Sequence, residues 1–315
     1  MGDIAVTAQQ LLDEALSYYN RGELETAVST CRRAIAARET PFARAQYHLG
    51  RMLIDAGDQD AAVEALRASV SAQPQNPEAQ YTLGLTLLRM GALDEAIAAF
   101  RQAIAQRDGR HPWALHNMGA ALLKIGKVEE AVEAIRSAIA ARTGPFPRAH
   151  RNLGLALMQA GDFTGAAAEF ETAIRERQGA FAEAKLDLAR ASARVGSIDK
   201  GISCAREAIV ERNGRFPDAR HVLGRLLLES GRPAEAVAEL RAATTEQGQF
   251  PEALFDLGRA YSRLGEFEEA AVAFDPGRVA VPDLERQVGD HGLPAVALAQ
   301  VLEDDRHAGS LPVRR

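Results

Sequence analysis

The chain has 315 residues, of which 47% are hydrophobic and 25% are charged, a composition typical of a folded globular protein. Only 5% of the residues are aromatic and only two are cysteines, which argues against a mixed β-sandwich, a disulfide scaffold or an all-cysteine metal site. The net charge of −6 disfavours general binding to nucleic acids or to anionic membranes.

The N-terminal extension, residues 1–7, has neither a basic segment nor an apolar run, so no secretory signal is predicted. No apolar stretch in the chain approaches the length of a transmembrane helix. We therefore expect a cytoplasmic protein that does not contact a membrane.

From residue 8 onward the sequence repeats itself. A glycine returns every 34 or 35 residues, at positions 22, 57, 91, 126, 161, 196, 231 and 265. In most repeats a Leu-Gly pair precedes this glycine, as Leu83-Gly84 precedes Gly91. An alanine and then a larger apolar residue follow it, as Ala96 and Phe100 do. A period of this length is typical of helical repeat proteins.

The period predicts eight helix–turn–helix units. In chain order they span residues 8–42, 43–76, 77–111, 112–146, 147–181, 182–216, 217–250 and 251–284. Within each unit the small residues allow two helices to approach closely, and a proline often opens the first helix. One unit cannot bury its apolar face alone, so the units are expected to stack.

The sequence departs from this pattern at the end of the chain. In the eighth unit Asp275-Pro276-Gly277 is expected to end the second helix early. Residues 285–315 are expected to form a capping helix, over Leu293 to Glu303, and a flexible tail.

The repeated pattern resembles that of the tetratricopeptide repeat family, W-x2-L-G-x2-Y…A-x3-F…A…P, and the resemblance covers residues 8–284. It implies an all-α fold, a right-handed superhelical solenoid of helix–turn–helix repeats. It also implies that the first helices line a concave groove in which a partner binds.

Residues at unit positions 2, 5, 9 and 12, with positions 6 and 13 beside them, share one face of each first helix. The predicted peptide-binding residues on this face are Arg44, Tyr47, Arg51, Tyr81, Trp113, His116, Asn117, Lys124, Arg148, Arg151, Asn152, Arg190 and Arg194. Four arginines have a carboxylate at helical spacing and are expected to form ion pairs. These pairs are Arg51–Asp55, Arg190–Asp187, Arg225–Glu229 and Arg259–Asp256. The first helices of the fourth and fifth units contain no carboxylate.

Asn117 and Asn152 match the asparagine ladder that some superhelical members of the family use to bind an extended backbone. The equivalent positions elsewhere depart from it, for example at His48, Thr82 and Asp187, so any ladder has two rungs. The lysine and asparagine carboxylate clamp of the chaperone-binding members is not found.

The sequence contains no catalytic motif, and its seven histidines are scattered, so no enzyme activity, cofactor or metal site is predicted. We expect a protein–protein interaction scaffold that binds an extended segment, acidic or C-terminal, of a partner. One alternative is a regulatory or substrate-recruiting subunit of a separately encoded enzyme, for example a glycosyltransferase. A remote alternative is an RNA-binding helical repeat protein. Self-assembly into a homodimer is compatible with the pattern.

Overall fold

The computed structural model describes residues 7–248 and 250–274. The chain divides into an N-terminal unit, Met1–Ala160, and a C-terminal unit, Gly161–Arg315. Except for Thr7, the predicted N-terminal extension lies outside the described residues. The predicted break at Asp275-Pro276-Gly277 and the predicted capping helix and tail over 285–315 also lie outside them.

The described residues form α-helices joined by short turns, with no strand among them. The helices of the N-terminal unit are α1 (Ala8–Asn20), α2 (Leu24–Ala36), α3 (Ala43–Asp55), α4 (Gln59–Ala72), α5 (Pro77–Met90), α6 (Leu93–Ala105), α7 (Pro112–Lys124), α8 (Val128–Ala140) and α9 (Pro147–Ala160). Those of the C-terminal unit are α10 (Phe163–Glu176), α11 (Ala182–Arg194), α12 (Ile198–Glu211), α13 (Pro217–Glu229), α14 (Pro233–Gln247), α15 (Pro251–Leu264) and α16 (Phe267–Phe274). We call odd-numbered helices first helices and even-numbered helices second helices.

Within the N-terminal unit, and likewise within the C-terminal unit, the helices pack against their neighbours along the chain. A first helix contacts the second helix that follows it, as α3 contacts α4, and a second helix contacts the next first helix, as α4 contacts α5. First helices of neighbouring repeats also touch, as α5 and α7 do. These are the nearest-neighbour contacts of stacked repeats. The all-α fold of helix–turn–helix repeats predicted from the sequence is confirmed.

The ends of the helices follow from their local sequences. The Thr7 side chain accepts a hydrogen bond from the Gln10 backbone N–H, and the Gln10 side chain accepts one from the Thr7 backbone N–H. These two reciprocal hydrogen bonds form a capping box at the N-terminus of α1. Gly91 ends α5 with a φ of 81°, and Gly265 ends α15 with a φ of 79°. A residue with a Cβ would be strained at these angles, so the recurring glycine sets the turn between the two helices of a repeat.

Close helix packing depends on a glycine that faces a large side chain. A Cβ placed on Gly84 would lie 2.7 Å from two ring carbons of Phe100, whose side chain is fully buried. Gly50 stands in the same relation to Leu66, with the nearest side-chain atom at 2.6 Å. Carbon atoms in favourable contact are about 3.5–4.0 Å apart. The glycine of the Leu-Gly pair therefore makes the room that the large residue of the second helix fills.

The sixth repeat reverses this arrangement. Ala189 takes the place of the glycine, Ala205 takes the place of the large residue, and both are fully buried. Gly201 replaces the usual alanine of the second helix, and a Cβ there would lie 3.0 Å from the backbone oxygen of Ala189 and from Leu226 Cδ1. The first helix is bulkier here and the second helix is smaller, so the three departures from the repeat pattern compensate one another.

Ion pairs also join successive second helices within each unit. They are Arg67–Glu95, Arg101–Glu130 at 3.0 Å, Glu171–Lys200 and Arg206–Glu235 at 3.2 Å. All eight side chains are about half exposed, so each pair contributes little to stability. We call this set the second-helix ion pairs.

Candidate functional site

Hydrogen bonds between polar side chains join first helices of the N-terminal unit side by side. Asp55 of α3 accepts a hydrogen bond from Tyr19 of α1, and Asn117 Nδ2 of α7 donates to Tyr81 Oη of α5 at 3.1 Å. The predicted residues of α3, α5, α7 and α9 therefore lie on neighbouring helices that touch. We call this surface the first-helix face. It is defined by Arg44, Tyr47, Arg51, Tyr81, Trp113, Asn117, Lys124, Arg148, Arg151 and Asn152.

The α3 part of the first-helix face is positively charged. Burial lowers the pKa of His48, and the positive charges of Arg44 and Arg51 lower it further. The ring of Tyr47 meets that of His48 edge-on, with their centroids 5.4 Å apart, and the Arg51 guanidinium lies 6.0 Å from the centre of the Tyr47 ring. The imidazole is therefore held neutral between two arginines, and the positive charge here comes from the arginines alone.

Tyr81 and Asn117 form the middle of the face. The ring of Tyr81 packs 4.9 Å from that of His111 and 6.0 Å from that of Phe100. Burial raises the pKa of the Tyr81 hydroxyl, whereas the hydrogen bond from Asn117 acts in the opposite direction. Asn117 was predicted to bind a partner's backbone, but one of its N–H groups is already given to Tyr81. Its carbonyl oxygen is the atom left for a partner's N–H.

Trp113 lies at the start of α7 and is 42% exposed. Its ring centroid is 4.8 Å from that of Phe146 and 6.3 Å from that of His116. The guanidinium of Arg142 lies 5.0 Å from the centre of the Trp113 ring and 4.6 Å from that of Phe146. We call Trp113, His116, Arg142 and Phe146 the Trp113 cluster. It holds one exposed indole against two buried rings and a stacked guanidinium.

His116 belongs to the inside of this cluster. It is only 6% exposed, and its Nδ1 has no hydrogen-bond partner among the described residues. Burial lowers the pKa of His116 to about 4, and the positive charge of Arg148 contributes to the decrease. The imidazole is therefore neutral at physiological pH. His116 was predicted to bind a partner, but its burial leaves it the role of supporting Trp113.

Two exposed cations, Lys124 and Arg148, follow Trp113 on α7 and α9. Neither helix contains a carboxylate, and in the described part of the chain neither cation forms an ion pair. On α5, Glu78 is already paired with Arg107. The α7 and α9 part of the face therefore presents positive charge that its own helices do not neutralise. Arg151 and Asn152 are half-buried beside Arg148, and Arg151 has contacts of its own.

The last two predicted residues, Arg190 and Arg194, lie on α11 in the C-terminal unit. Arg190 is 3.6 Å from the carboxylate of Asp187. The guanidinium of Arg194 lies 4.2 Å from the centre of the Phe163 ring. Both charged groups are thus engaged within their own unit.

Two of the four ion pairs predicted from helical spacing are confirmed, Arg190–Asp187 and Arg259–Asp256 at 3.0 Å. The predicted Arg225–Glu229 pair is wrong, since Arg225 instead lies 3.9 Å from Asp256 of the next first helix. The predicted Arg51–Asp55 pair is also not formed, and Asp55 accepts a hydrogen bond from the neighbouring helix α1. In both cases an adjacent first helix supplies a closer partner than the next turn of the same helix.

Arg142 and Phe146 were not predicted from the sequence, because only first-helix positions were considered. Arg142 follows α8, and Phe146 precedes α9. An arginine four residues before a phenylalanine recurs in the chain and could have identified them. The guanidinium lies over the ring in three other places, Arg38–Phe42 at 4.7 Å, Arg177–Phe181 at 4.8 Å and Arg212–Phe216 at 5.4 Å.

Other kinds of site find little support. Among residues 7–248 and 250–274, no three His, Cys, Asp or Glu side chains are grouped so that they could hold a metal ion. Cys31 is fully buried, and burial raises its pKa to about 11, so it is an unreactive packed side chain. None of the described helices is both long enough and apolar enough to cross a membrane.

Comparison with known proteins identifies the repeat. A tetratricopeptide repeat profile matches residues 12–77, 53–111, 116–182 and 155–216, and a second profile of the same repeat matches residues 227–288. No curated protein matches the chain.

Solved structures with similar folds are also repeat proteins. A tetratricopeptide repeat protein from Parabacteroides merdae matches with a TM-score of 0.61 and 20% identity, over 83% of this chain and 97% of that one. A chain of the APC/C hetero-tetramer Cut9–Hcn1 matches with a TM-score of 0.59 and 17% identity, over 82% and 49%. YrrB, described as a TPR protein with an unusual peptide-binding site, matches with a TM-score of 0.51 and 18% identity, over 61% and 97%. At these identities the similarity concerns the fold.

Proposed function

Because the chain belongs to the tetratricopeptide repeat family, whose repeats serve as protein-binding scaffolds, we propose that it is a non-catalytic scaffold for an extended, acidic segment of a partner protein. The segment binds along the first-helix face of the N-terminal unit. Placement in the cytoplasm and formation of a homodimer stay predictions.

One observation carries this proposal, the combination of an exposed aromatic side chain with unneutralised positive charge. Trp113 is 42% exposed, and the exposed cations Lys124 and Arg148 lie on helices without a carboxylate. Tryptophan and arginine are the residue types that most often anchor protein interfaces. An acidic segment supplies the charge that α7 and α9 lack, and an apolar side chain beside it covers the indole.

The polar groups around these anchors suit an extended backbone. The carbonyl oxygen of Asn117 is left for a backbone N–H, and the amide of Asn152 lies on the next first helix. The arginines of α3 extend the positive charge toward the start of the chain. The similarity to YrrB adds the precedent of a peptide-binding protein with this fold.

A random peptide library displayed with free C-termini tests the proposal on the full chain. We expect enrichment of acidic peptides. The affinities of the enriched peptides for the chain are then measured by fluorescence anisotropy. The double variant Lys124→Glu and Arg148→Glu should weaken binding at least about tenfold, which corresponds to about 1.4 kcal/mol. Higher salt should weaken binding to the wild type, since the cations are exposed.

A matched control carries the same change in net charge on second helices. Arg32 of α2 and Arg136 of α8 are exposed, and the double variant Arg32→Glu and Arg136→Glu should bind like the wild type. Circular dichroism should show unchanged helicity in both variants. The absence of any enriched peptide, or equal weakening by the two double variants, would contradict the proposed function.

A further inference from the structure

We propose that the Trp113 cluster is a subsite for one carboxylate side chain, an Asp or Glu within the partner's segment, which Arg142 and Arg148 bind beside the indole of Trp113. This inference rests on the proposed function and deepens it, because it names the group that the centre of the first-helix face recognises.

The repeats themselves provide the comparison. In the third repeat Arg107, which follows the second helix, pairs with Glu78 at the second position of the first helix. In the sixth repeat the equivalent residues, Arg212 and Glu183, also form an ion pair. In two repeats, this arginine thus forms an ion pair with a carboxylate of the same repeat.

In the fourth repeat the same position of the first helix holds Trp113 instead of a glutamate. Arg142, equivalent to Arg107 and Arg212, stacks on the rings of Trp113 and Phe146. Its Nε is buried and has no hydrogen-bond partner among the described residues. Stacking uses the face of a guanidinium, whereas its N–H groups point outward from the edge. Arg142 therefore occupies the position of its counterparts without their carboxylate.

Arg107 and Arg212 donate to their glutamates through Nη2, and a charge-assisted hydrogen bond of this kind is stronger than one between neutral groups. Arg148 adds a second positive charge, which is close enough to affect the titration of His116 inside the cluster. Neither α7 nor α9 contains a carboxylate that could occupy the site. Charge complementarity thus favours a carboxylate from a partner.

The position of the cluster favours a side chain within a segment over a chain terminus. The first-helix face continues on both sides of it, with Tyr81 and Asn117 toward α5 and Asn152 on α9. A segment can therefore run past the cluster and place one acidic side chain in it. An apolar residue next to the acidic one would cover the exposed part of Trp113.

The variant Trp113→Glu tests this inference by restoring the arrangement of the third and sixth repeats. The new glutamate should pair with Arg142 as Glu78 pairs with Arg107, so the helix remains folded and the subsite is filled. Binding of the selected acidic peptides should fall about tenfold or more, the loss expected when a charge-assisted hydrogen bond is removed. A second variant, Arg142→Gln, should cause a similar loss and does not depend on how Trp113→Glu folds.

The matched control is Arg212→Gln, which removes the equivalent arginine of the sixth repeat and should leave binding within about twofold. On the peptide side, changing each Asp or Glu to its amide in turn should identify one residue whose loss matters in the wild type but not in Arg142→Gln. Trp113 is the only tryptophan in the chain, so its fluorescence reports contact directly in both proteins.

The outcomes separate this inference from the proposed function. Peptides that bind Trp113→Glu and Arg142→Gln as tightly as the wild type, yet are lost in the Lys124→Glu and Arg148→Glu variant, would overturn the subsite and leave the scaffold function standing. Binding that is lost on amidation of the peptide C-terminus and is insensitive to every Asp and Glu would also overturn it. The absence of any enriched peptide would overturn both.

Discussion

The variant Gly84→Ala should destabilise the N-terminal unit through a single added methyl group. The new Cβ would lie 2.7 Å from two ring carbons of Phe100 and 3.1 Å from a third, so the fully buried ring has to move by about 1 Å to regain an ordinary contact. Overpacking of this kind costs about 1–3 kcal/mol. The helical preference of alanine over glycine returns about 1 kcal/mol. We therefore expect a net loss of about 1 kcal/mol in the free energy of unfolding.

The sign should reverse when the ring is absent. In a Phe100→Ala background, which itself costs about 3–5 kcal/mol, Gly84→Ala should stabilise by about 1 kcal/mol, as the natural pair Ala189 and Ala205 suggests. Urea denaturation followed by circular dichroism measures all four proteins, provided that the m value stays constant. A coupling energy below about 0.5 kcal/mol, or a Gly84→Ala protein as stable as the wild type, would refute the packing argument.

Two further predictions concern buried titratable groups. The free energy of unfolding should fall by up to about 3 kcal/mol as the pH decreases from 6.5 to 4, because the His116 imidazole takes up a proton in that range only when the chain is unfolded. His116→Gln should reduce this dependence in urea titrations, and an NMR titration of His116 near pH 6.5 would contradict it. Cys31, whose pKa is raised to about 11, should resist Ellman's reagent at pH 8 until the protein is unfolded. The measurement uses a Cys204→Ser variant, because Cys204 is the other free cysteine and is only partly buried, and rapid labelling of this variant in its native state would disprove the burial of Cys31.

The architecture could be predicted from the sequence because the same pattern of glycine, alanine and larger apolar residues recurs in most repeats. A period of 34 or 35 residues marks the helix pairs, and the helical spacing within a pair marks which residues share a face of the first helix. Even the departures in the sixth repeat carry information, since Ala189, Gly201 and Ala205 differ from the pattern together. A local pattern that recurs many times leaves little room for another fold.

The candidate site could be predicted only in part, because it depends on contacts between elements. Trp113 and Arg148 follow from their helical positions, but Arg142 and Phe146 reach the same place from the connection between α8 and α9. His116 has the spacing of an exposed residue, yet the ring of Phe146 packs 5.1 Å from it and burial follows. Helical spacing gives the direction of a side chain and does not tell what covers it.

The second-helix ion pairs bear on a problem that every repetitive chain faces, which is stacking its modules in the wrong order. In three of the pairs the earlier helix supplies the arginine and the later helix the glutamate, but Glu171 and Lys200 are reversed. If α6, α8 or α14 followed α10 in place of α12, Glu171 would meet another glutamate. The reversed pair thus favours α12 over these other second helices as the neighbour of α10. Anyone who grafts or shuffles these repeats has to move Glu171 and Lys200 together.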